Sequence, residues 1–80
     1  MDVHPFHHKN LCFNILTDYD LSFQEIRGIL DRLSELDAFK KEGEADGGVF
    51  YDIQLGQVLY EVDVNGYEVV IYRRTELAGP

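Results

Sequence analysis

Cysteine is almost absent from this chain, which carries a single thiol, Cys12, among its 80 residues. One cysteine excludes an intramolecular disulfide, and chains without disulfides are typical of reducing compartments. The sequence also lacks the apolar segment of an N-terminal signal peptide, and no apolar run approaches the length needed to cross a membrane. These absences predict a cytoplasmic protein that does not enter a membrane.

Basic residues are scarce as well. Seven Lys and Arg stand against 15 Asp and Glu, which gives a net charge of -8 and a pI near 4.6. Direct binding to nucleic acid or to anionic membranes is therefore not expected, because both need clustered Lys and Arg. Hydrophobic residues at 45% and aromatic residues at 12% are nevertheless too abundant for a disordered acidic chain. We expect one small globular domain with a core too small for a large ligand pocket.

Motifs for catalysis and cofactor binding are missing. The chain has no G-x-S-x-G elbow, no phosphate-binding loop and no framework of metal ligands. Ser22 is taken up as a helix cap, Ser34 is isolated, and Cys12 lies in an apolar run that predicts a buried, inert thiol. We expect neither enzymatic activity nor a cofactor.

The most informative stretch runs from Val49 to Arg73 and predicts a three-stranded antiparallel meander. Its alternating segments are Val49–Leu55, Val58–Val64 and Tyr67–Arg73. Gly56-Gln57 fits a two-residue type II′ turn, and Asn65-Gly66 is a strong hairpin signal for a second two-residue turn. With these turns, Val62 would lie opposite Val69 and Tyr60 opposite Ile71.

The two faces of this meander differ in chemistry. One face would be apolar, with Val49, Tyr51, Ile53, Leu55, Val58, Tyr60, Val62, Val64, Tyr67, Val69 and Ile71. The other would place Asp52 opposite Glu61 and Asp63 opposite Glu68, with Phe50, Leu59, Val70 and Tyr72 among them. Like charges directly opposite each other destabilise strand pairing by about 0.2 to 1 kcal/mol. This face is therefore not selected for sheet stability alone.

Three interpretations of the acidic face are open from the sequence. It could be a solvated surface that keeps a small protein in solution and discourages edge-to-edge aggregation. It could instead be a docking surface for a cationic partner, whose binding relieves the repulsion. Convergent carboxylates would also permit a divalent-cation site, although no loop shows the regular Asp, Asn and Gly spacing of such sites.

Residues 1–10 predict a flexible N-terminal arm, because they contain Pro5 and show no periodicity. The arm holds all three histidines, and the spacing of His4, His7 and His8 makes them weak candidates for a transition-metal site. A first strand follows over residues 11–16. Both of its sides are fairly apolar, so we expect both faces to be partly covered.

A helix is predicted after this strand. Ser22 and Glu25 form a capping box, and Leu21 with Ile26 fits a hydrophobic staple. The apolar stripe of the helix consists of Phe23, Ile26, Ile29, Leu30, Leu33 and Leu36. The helix should end near Leu36 or Ala38. Gly28 lies on the polar side, where the sequence gives no clear reason for a glycine.

Residues 38–48 predict a mobile charged loop, with a short strand over residues 39–42 as the alternative. This loop would add an acidic fringe of Glu42, Glu44 and Asp46. Residues 75–80 predict a frayed tail. The folded domain is therefore expected to span residues 11–74.

Together these elements predict an α+β fold with the order β-α-β-β-β, in which the meander and the N-terminal strand are backed by one amphipathic helix. The first strand would join one edge of the meander and run parallel to its neighbour there, after a right-handed crossover. One helix cannot cover every apolar position of such a sheet. Either the sheet curls strongly around the helix or a second copy covers the remaining positions, so a homodimer is a further hypothesis.

The function predicted is a small acidic binding or inhibitor module that docks on a basic site of a larger protein, in the manner of an immunity protein or a nucleic-acid mimic. The predicted partner-binding residues are Phe50, Asp52, Glu61, Asp63, Glu68, Tyr72, Glu42, Glu44 and Asp46. The alternative is an accessory structural subunit or a component of a homodimeric assembly.

Overall fold

The computed structural model describes residues 2–8, 11–39 and 48–78, with the backbone alone described at His8 and Leu11. Its elements are β1 (Asp2–His8), β2 (Leu11–Thr17), α1 (Phe23–Glu35), β3 (Val49–Leu55), β4 (Val58–Asn65) and β5 (Glu68–Glu76). The α+β class is confirmed. The order is β-β-α-β-β-β, however, so the predicted β-α-β-β-β order lacks one strand.

The strands form one mixed sheet in the order β1-β2-β5-β4-β3. The pairs β1–β2, β5–β4 and β4–β3 are antiparallel, whereas β2 and β5 are parallel. The meander is therefore present, but it is part of a larger sheet. The sequence left open which edge of the meander the first predicted strand would join. In the structure this strand, β2, joins the edge formed by β5.

Residues Asp2–His8 correct the prediction of a flexible arm, because they form the edge strand β1 along the whole length of β2. Phe6 lies opposite Phe13 and packs against the core, with its ring centroid 5.6 Å from that of Phe23. Pro5 does not prevent the strand, since proline is compatible with an edge position. The predicted frayed tail is also too long, because β5 continues through Glu76.

Both ends of α1 are capped. Ser22 Oγ accepts the Glu25 N–H at 3.0 Å and Glu25 Oε1 accepts the Ser22 N–H at 2.9 Å, so the predicted capping box is confirmed. At the other end Asp37 has a φ of 59° and Ala38 donates its N–H to the Leu33 carbonyl at 2.9 Å. This is a Schellman motif, which stops the helix where the sequence predicted.

The core lies between α1 and one side of the sheet. Its buried residues are Ile15, Ile26, Ile29, Leu30, Leu33, Ile53, Tyr60, Val62, Val64, Val69 and Ile71. The predicted apolar face is thus the covered face, although Val49 and Tyr67 remain more than half exposed. Gly28 has its explanation here, since a Cβ at this position would come within 2.9 Å of Leu55 Cδ1.

The hairpin of β3 and β4 has the predicted register, but the hairpin of β4 and β5 does not. Asn65 lies opposite Glu68 and Val64 opposite Val69. Gly66, between the paired residues Asn65 and Glu68, has a φ of 63°. Gly66 and Tyr67 therefore form the turn, in place of Asn65 and Gly66. The register is shifted by two residues. Each side chain stays on its predicted face because the pleat repeats every two residues.

A bulge in β5 changes the pattern further along. Ile71 lies opposite Val62 and Arg73 opposite Glu61, so Tyr72 is an additional residue in β5. Beyond such a bulge the alternation of side chains is reversed. Arg74, opposite Tyr60, therefore shares the helix-covered face, and Arg73 lies on the opposite face.

Candidate docking face

We call the side of the sheet opposite α1 the outer face. One row of paired residues crosses all five strands on this side: Val3, Leu16, Val70, Asp63 and Phe50. Four of the five are apolar, and Val3 and Phe50 are 53% and 69% exposed. No element in the described part of the chain covers the row. Asp63 is its single charged member.

Asp63 lies beside two aromatic side chains, Phe50 and Tyr72. The ring centroids of Phe50 and Tyr72 are 5.5 Å apart, and the Tyr72 hydroxyl is 3.5 Å from Asp63 Oδ2. Asp63 Oδ1 is buried and has no hydrogen-bond partner among the residues that the structure describes. A buried acceptor without a donor costs free energy, and the cost is larger for a charged group. The outer face thus contains a carboxylate with an acceptor position that no described residue fills.

Gly48 makes room for this carboxylate. A Cβ at residue 48 would overlap Oδ1 of Asp63 and would lie 2.5 Å from its Cγ. The Asp63 side chain therefore lies close against the backbone that precedes β3. A glycine is required here for space, and any larger residue would displace the carboxylate.

The second acidic group on the outer face is the pair of Asp52 and Glu61, which lie directly opposite each other as predicted. The β5 bulge adds Arg73 to this row, with Nη1 4.0 Å from Glu61 Oε2. The two side chains of this ion pair are 66% and 41% exposed, so water screens their attraction. Asp52, at the edge of the sheet, has no ion pair with another described residue.

The predicted pairing of Asp63 with Glu68 is wrong. Because the second turn is shifted, Asp63 lies opposite Val70 and Glu68 opposite Asn65. Glu68 remains on the outer face, since it is two residues from Val70 in β5. The predicted sheet residues therefore share one face, but only one pair of carboxylates is directly opposed.

Cys12 is exposed, so the prediction of a buried thiol is wrong. It points to the outer face, which no described element covers at β2, and its Sγ lies 4.0 Å from His7 Nε2. His4 is three residues from His7 and so points to the other face, where its Nε2 is buried without a described partner. The two imidazoles do not converge. In the described ranges no group of three or more His, Cys, Asp or Glu could hold a metal ion.

A polar cluster between helix and sheet was not predicted. Glu25 Oε2 accepts hydrogen bonds from the Tyr60 hydroxyl at 2.6 Å and from Arg74 Nε at 2.9 Å. Desolvation alone would raise the pKa of the Glu25 carboxyl. The hydrogen bonds from Ser22, Tyr60 and Arg74, with the Arg74 charge, outweigh it and lower this pKa from 4.5 to about 2.

The same contacts affect the other two members. Desolvation and the bond to the Glu25 carboxylate raise the pKa of Tyr60 to about 12. The hydrogen bond to Glu25 likewise raises the pKa of Arg74. A tyrosine in an otherwise aliphatic strand face was the available signal, but the bulge that brings Arg74 to it leaves no clear mark in the sequence. Glu25 lies on α1, and Tyr60 and Arg74 lie on the sheet, so their hydrogen bonds hold α1 on the sheet.

The predicted fringe residues Glu42, Glu44 and Asp46 lie outside the described residues. Within those residues no helix is both long enough and apolar enough to cross a membrane. Comparison of the chain with protein-family models, with curated proteins and with solved structures found no match.

Proposed function

We propose that this protein is a small, non-enzymatic binding or inhibitor module that docks its outer face on a basic site of a larger protein. The observation that carries the proposal is Asp63, a carboxylate that lies in an apolar row with one buried oxygen unpartnered among the described residues. A surface that served only to stay hydrated would not need a charge in this position.

A cationic side chain of a partner would complete this site. A donor of the partner reaches Asp63 Oδ1 only if the carboxylate turns outwards from Gly48. The new bond would then remove the desolvation cost of a buried acceptor, about 1 to 3 kcal/mol. Phe50 and Tyr72, at 69% and 52% exposure, offer flat aromatic surfaces beside the carboxylate. Guanidinium groups stack on such rings and bind carboxylates through two N–H donors. Arginine is therefore the partner residue that this geometry suits best.

The net charge of -8 favours the same class of partner, because it attracts basic surfaces over distance. A protein site that ordinarily holds nucleic acid is such a surface, and an acidic module docked there would act as a nucleic-acid mimic. Asp52, Glu61 and Glu68 extend the acidic surface around Asp63. Glu42, Glu44 and Asp46 remain part of the proposal as a fringe.

The test separates folding from binding. Asp63→Asn keeps the shape of the side chain and removes its charge, so the free energy of unfolding should rise by about 1 kcal/mol. Asp31→Asn, on the exposed side of α1, is the matched control and should leave stability within about 0.5 kcal/mol. Urea denaturation measures both variants.

Binding is measured on proteins captured from the native host and then purified. The double variant Asp63→Lys, Glu68→Lys should fold and should lose its partner, whereas Asp31→Lys should retain it. Affinity of the unaltered protein should fall steeply with salt. If the double variant retains the same partner at the same affinity, the proposal is wrong.

An accessory structural subunit, or a homodimeric component, is the second candidate. The exposed apolar residues Val3, Phe50 and Tyr72 on the outer face favour it. Such an interface would be large and insensitive to salt. Light scattering at micromolar concentration, repeated at high salt, distinguishes a stable dimer from a salt-sensitive complex with a basic partner.

A further inference from the structure

In the described part of the chain, β1 and β3 form the two edges of the sheet. An edge strand presents unpaired backbone N–H and C=O groups, which can pair with a further strand unless the edge is protected. The two edges of this protein differ in which groups point outwards. That difference can be read from hydrogen bonds elsewhere in the sheet.

The edge at β1 is blocked at its centre. Asn14 donates its N–H to the Tyr67 carbonyl at 2.9 Å, so the backbone groups of Asn14 point towards β5 and away from β1. Pro5 lies opposite Asn14 in a pair without hydrogen bonds, and its own backbone groups point outwards. Proline has no N–H, so this edge lacks a donor where an added strand would need one.

Among the residues that the structure describes, no strand pairs with the outer edge of β3. Leu77 donates its N–H to the Gln57 carbonyl at 2.7 Å, so alternate residues of β4 from Gln57 onwards bond towards β5. The intervening residues, Val58 and Tyr60, must then bond to Leu55 and Ile53 of β3. The outward-pointing groups of β3 therefore belong to Phe50, Asp52 and Gln54. None of these positions is a proline.

The charge on this edge indicates what it can accept. The side chains of Phe50, Asp52 and Gln54 lie on the outer face of the sheet. Asp52 is the central one, and Glu61 lies opposite it in β4. A second copy that paired antiparallel about Asp52 would place two carboxylates opposite each other, which disfavours self-association. A strand with a basic residue opposite Asp52 would instead gain a favourable cross-strand pair.

We propose that β3 accepts an extended basic segment of the partner as a sixth strand of the sheet. The charge of the partner rests on the proposed function, whereas the mode of binding rests on the edge geometry. Arg or Lys at alternate positions of the segment would lie beside Asp52 on the outer face. Apolar residues between them would lie beside Tyr51 on the helix side. Backbone hydrogen bonds would supply affinity, and the alternation would supply specificity.

The probe for this proposal is the peptide Thr-Val-Arg-Val-Arg-Val-Thr, titrated into the full chain and followed by NMR. The amide protons of Phe50, Asp52 and Gln54 should exchange freely without peptide and slow at least tenfold when it is bound. The same peptide with all its amides N-methylated keeps the charge but cannot pair as a strand. It should bind at least tenfold more weakly.

Two variants at one position provide the matched comparison. Gln54→Pro removes an outward N–H without breaking a β3–β4 hydrogen bond, and it should weaken peptide binding at least tenfold. Gln54→Thr keeps the N–H and should stay within about threefold of the unaltered protein. Both variants lose the bond from Gln54 Nε2 to the Gly56 carbonyl, so that loss does not distinguish them.

The outcomes separate the two proposals. Equal binding of the methylated peptide, or no effect of Gln54→Pro, overturns strand addition and leaves docking on the outer face in place. If an acidic peptide slows amide exchange at β3 as readily as the basic one does, the proposal of a basic partner is wrong, but strand addition is retained. No binding of the basic peptide at millimolar concentration, or protection of these amides by a second copy, also overturns strand addition.

Discussion

The contact between α1 and the sheet predicts how stability changes in acid. Glu25→Gln removes the charge of the carboxylate that bonds Tyr60 and Arg74. Glutamine can still accept the Ser22 N–H, so the capping box is retained. The substitution therefore keeps the geometry of the helix cap, while the bonds from Ser22, Tyr60 and Arg74 all lose a charged acceptor. At neutral pH the variant should be less stable than the unaltered protein.

The magnitude follows from the pKa of Glu25, which is lowered from 4.5 to about 2. Such a shift would correspond to about 3 kcal/mol if water did not screen the cluster. Because the Glu25 side chain is 22% exposed and that of Arg74 28%, we expect about 1 to 2 kcal/mol. A lowered pKa means that this stability is present above pH 4.5 and is lost as the pH falls towards 2.

Urea denaturation from pH 7 to pH 2 measures the difference between the two proteins. The difference should be constant at neutral pH and should shrink below pH 4.5, because a protonated Glu25 resembles glutamine. Glu35→Gln is the matched control on the same helix. Its ion pair with Arg32 joins side chains that are 64% and 52% exposed, so it should change stability by at most about 0.5 kcal/mol. Parallel pH profiles for Glu25→Gln and the unaltered protein would refute the reasoning.

The remaining predictions concern the same cluster and the outer face. Tyr60→Phe removes the bond to Glu25, so the free energy of unfolding at pH 7 should fall by about 1.5 to 3 kcal/mol. The variant should also lack the part of the alkaline stability loss that falls between pH 10 and about 12. An unchanged alkaline profile by circular dichroism contradicts this. Gly48→Ala should lower the midpoint of urea denaturation, because the added Cβ would displace the Asp63 carboxylate. The double variant Gly48→Ala, Asp63→Gly should recover most of that loss. No recovery contradicts the steric explanation. Cys12 should react with a thiol reagent in the folded protein at nearly the rate of the urea-unfolded chain, and strong protection would show that the outer face is covered.

The local features that the sequence predicted correctly depend on neighbouring residues. The capping box of Ser22 and Glu25 and the alternation along β3 and β4 each specify their own conformation. Phe50, Asp52 and Asp63 were assigned to one face for the same reason. The register error at Asn65 did not disturb that assignment, because a shift of two residues preserves the faces of a strand.

The features that the sequence did not predict depend on contacts between distant segments. The residues of β1 show no periodicity, and they form a strand because β2 offers a free edge and Phe6 reaches the core. Cys12 looked buried because its neighbours are apolar, but no described element covers its face of β2.

The sequence by itself determined an acidic α+β domain with one amphipathic helix and a meander whose carboxylates share one side, since composition, capping and the pleat are local properties. The tertiary structure alone decided which arginine bonds Glu25. It also decided which carboxylate oxygen is buried without a partner among the described residues, and which sheet edge no described strand covers. These depend on the bulge at Tyr72, on the position of Gly48 against Asp63 and on Pro5 facing outwards. Each joins residues distant in the chain or depends on strand register, so no local pattern encodes it.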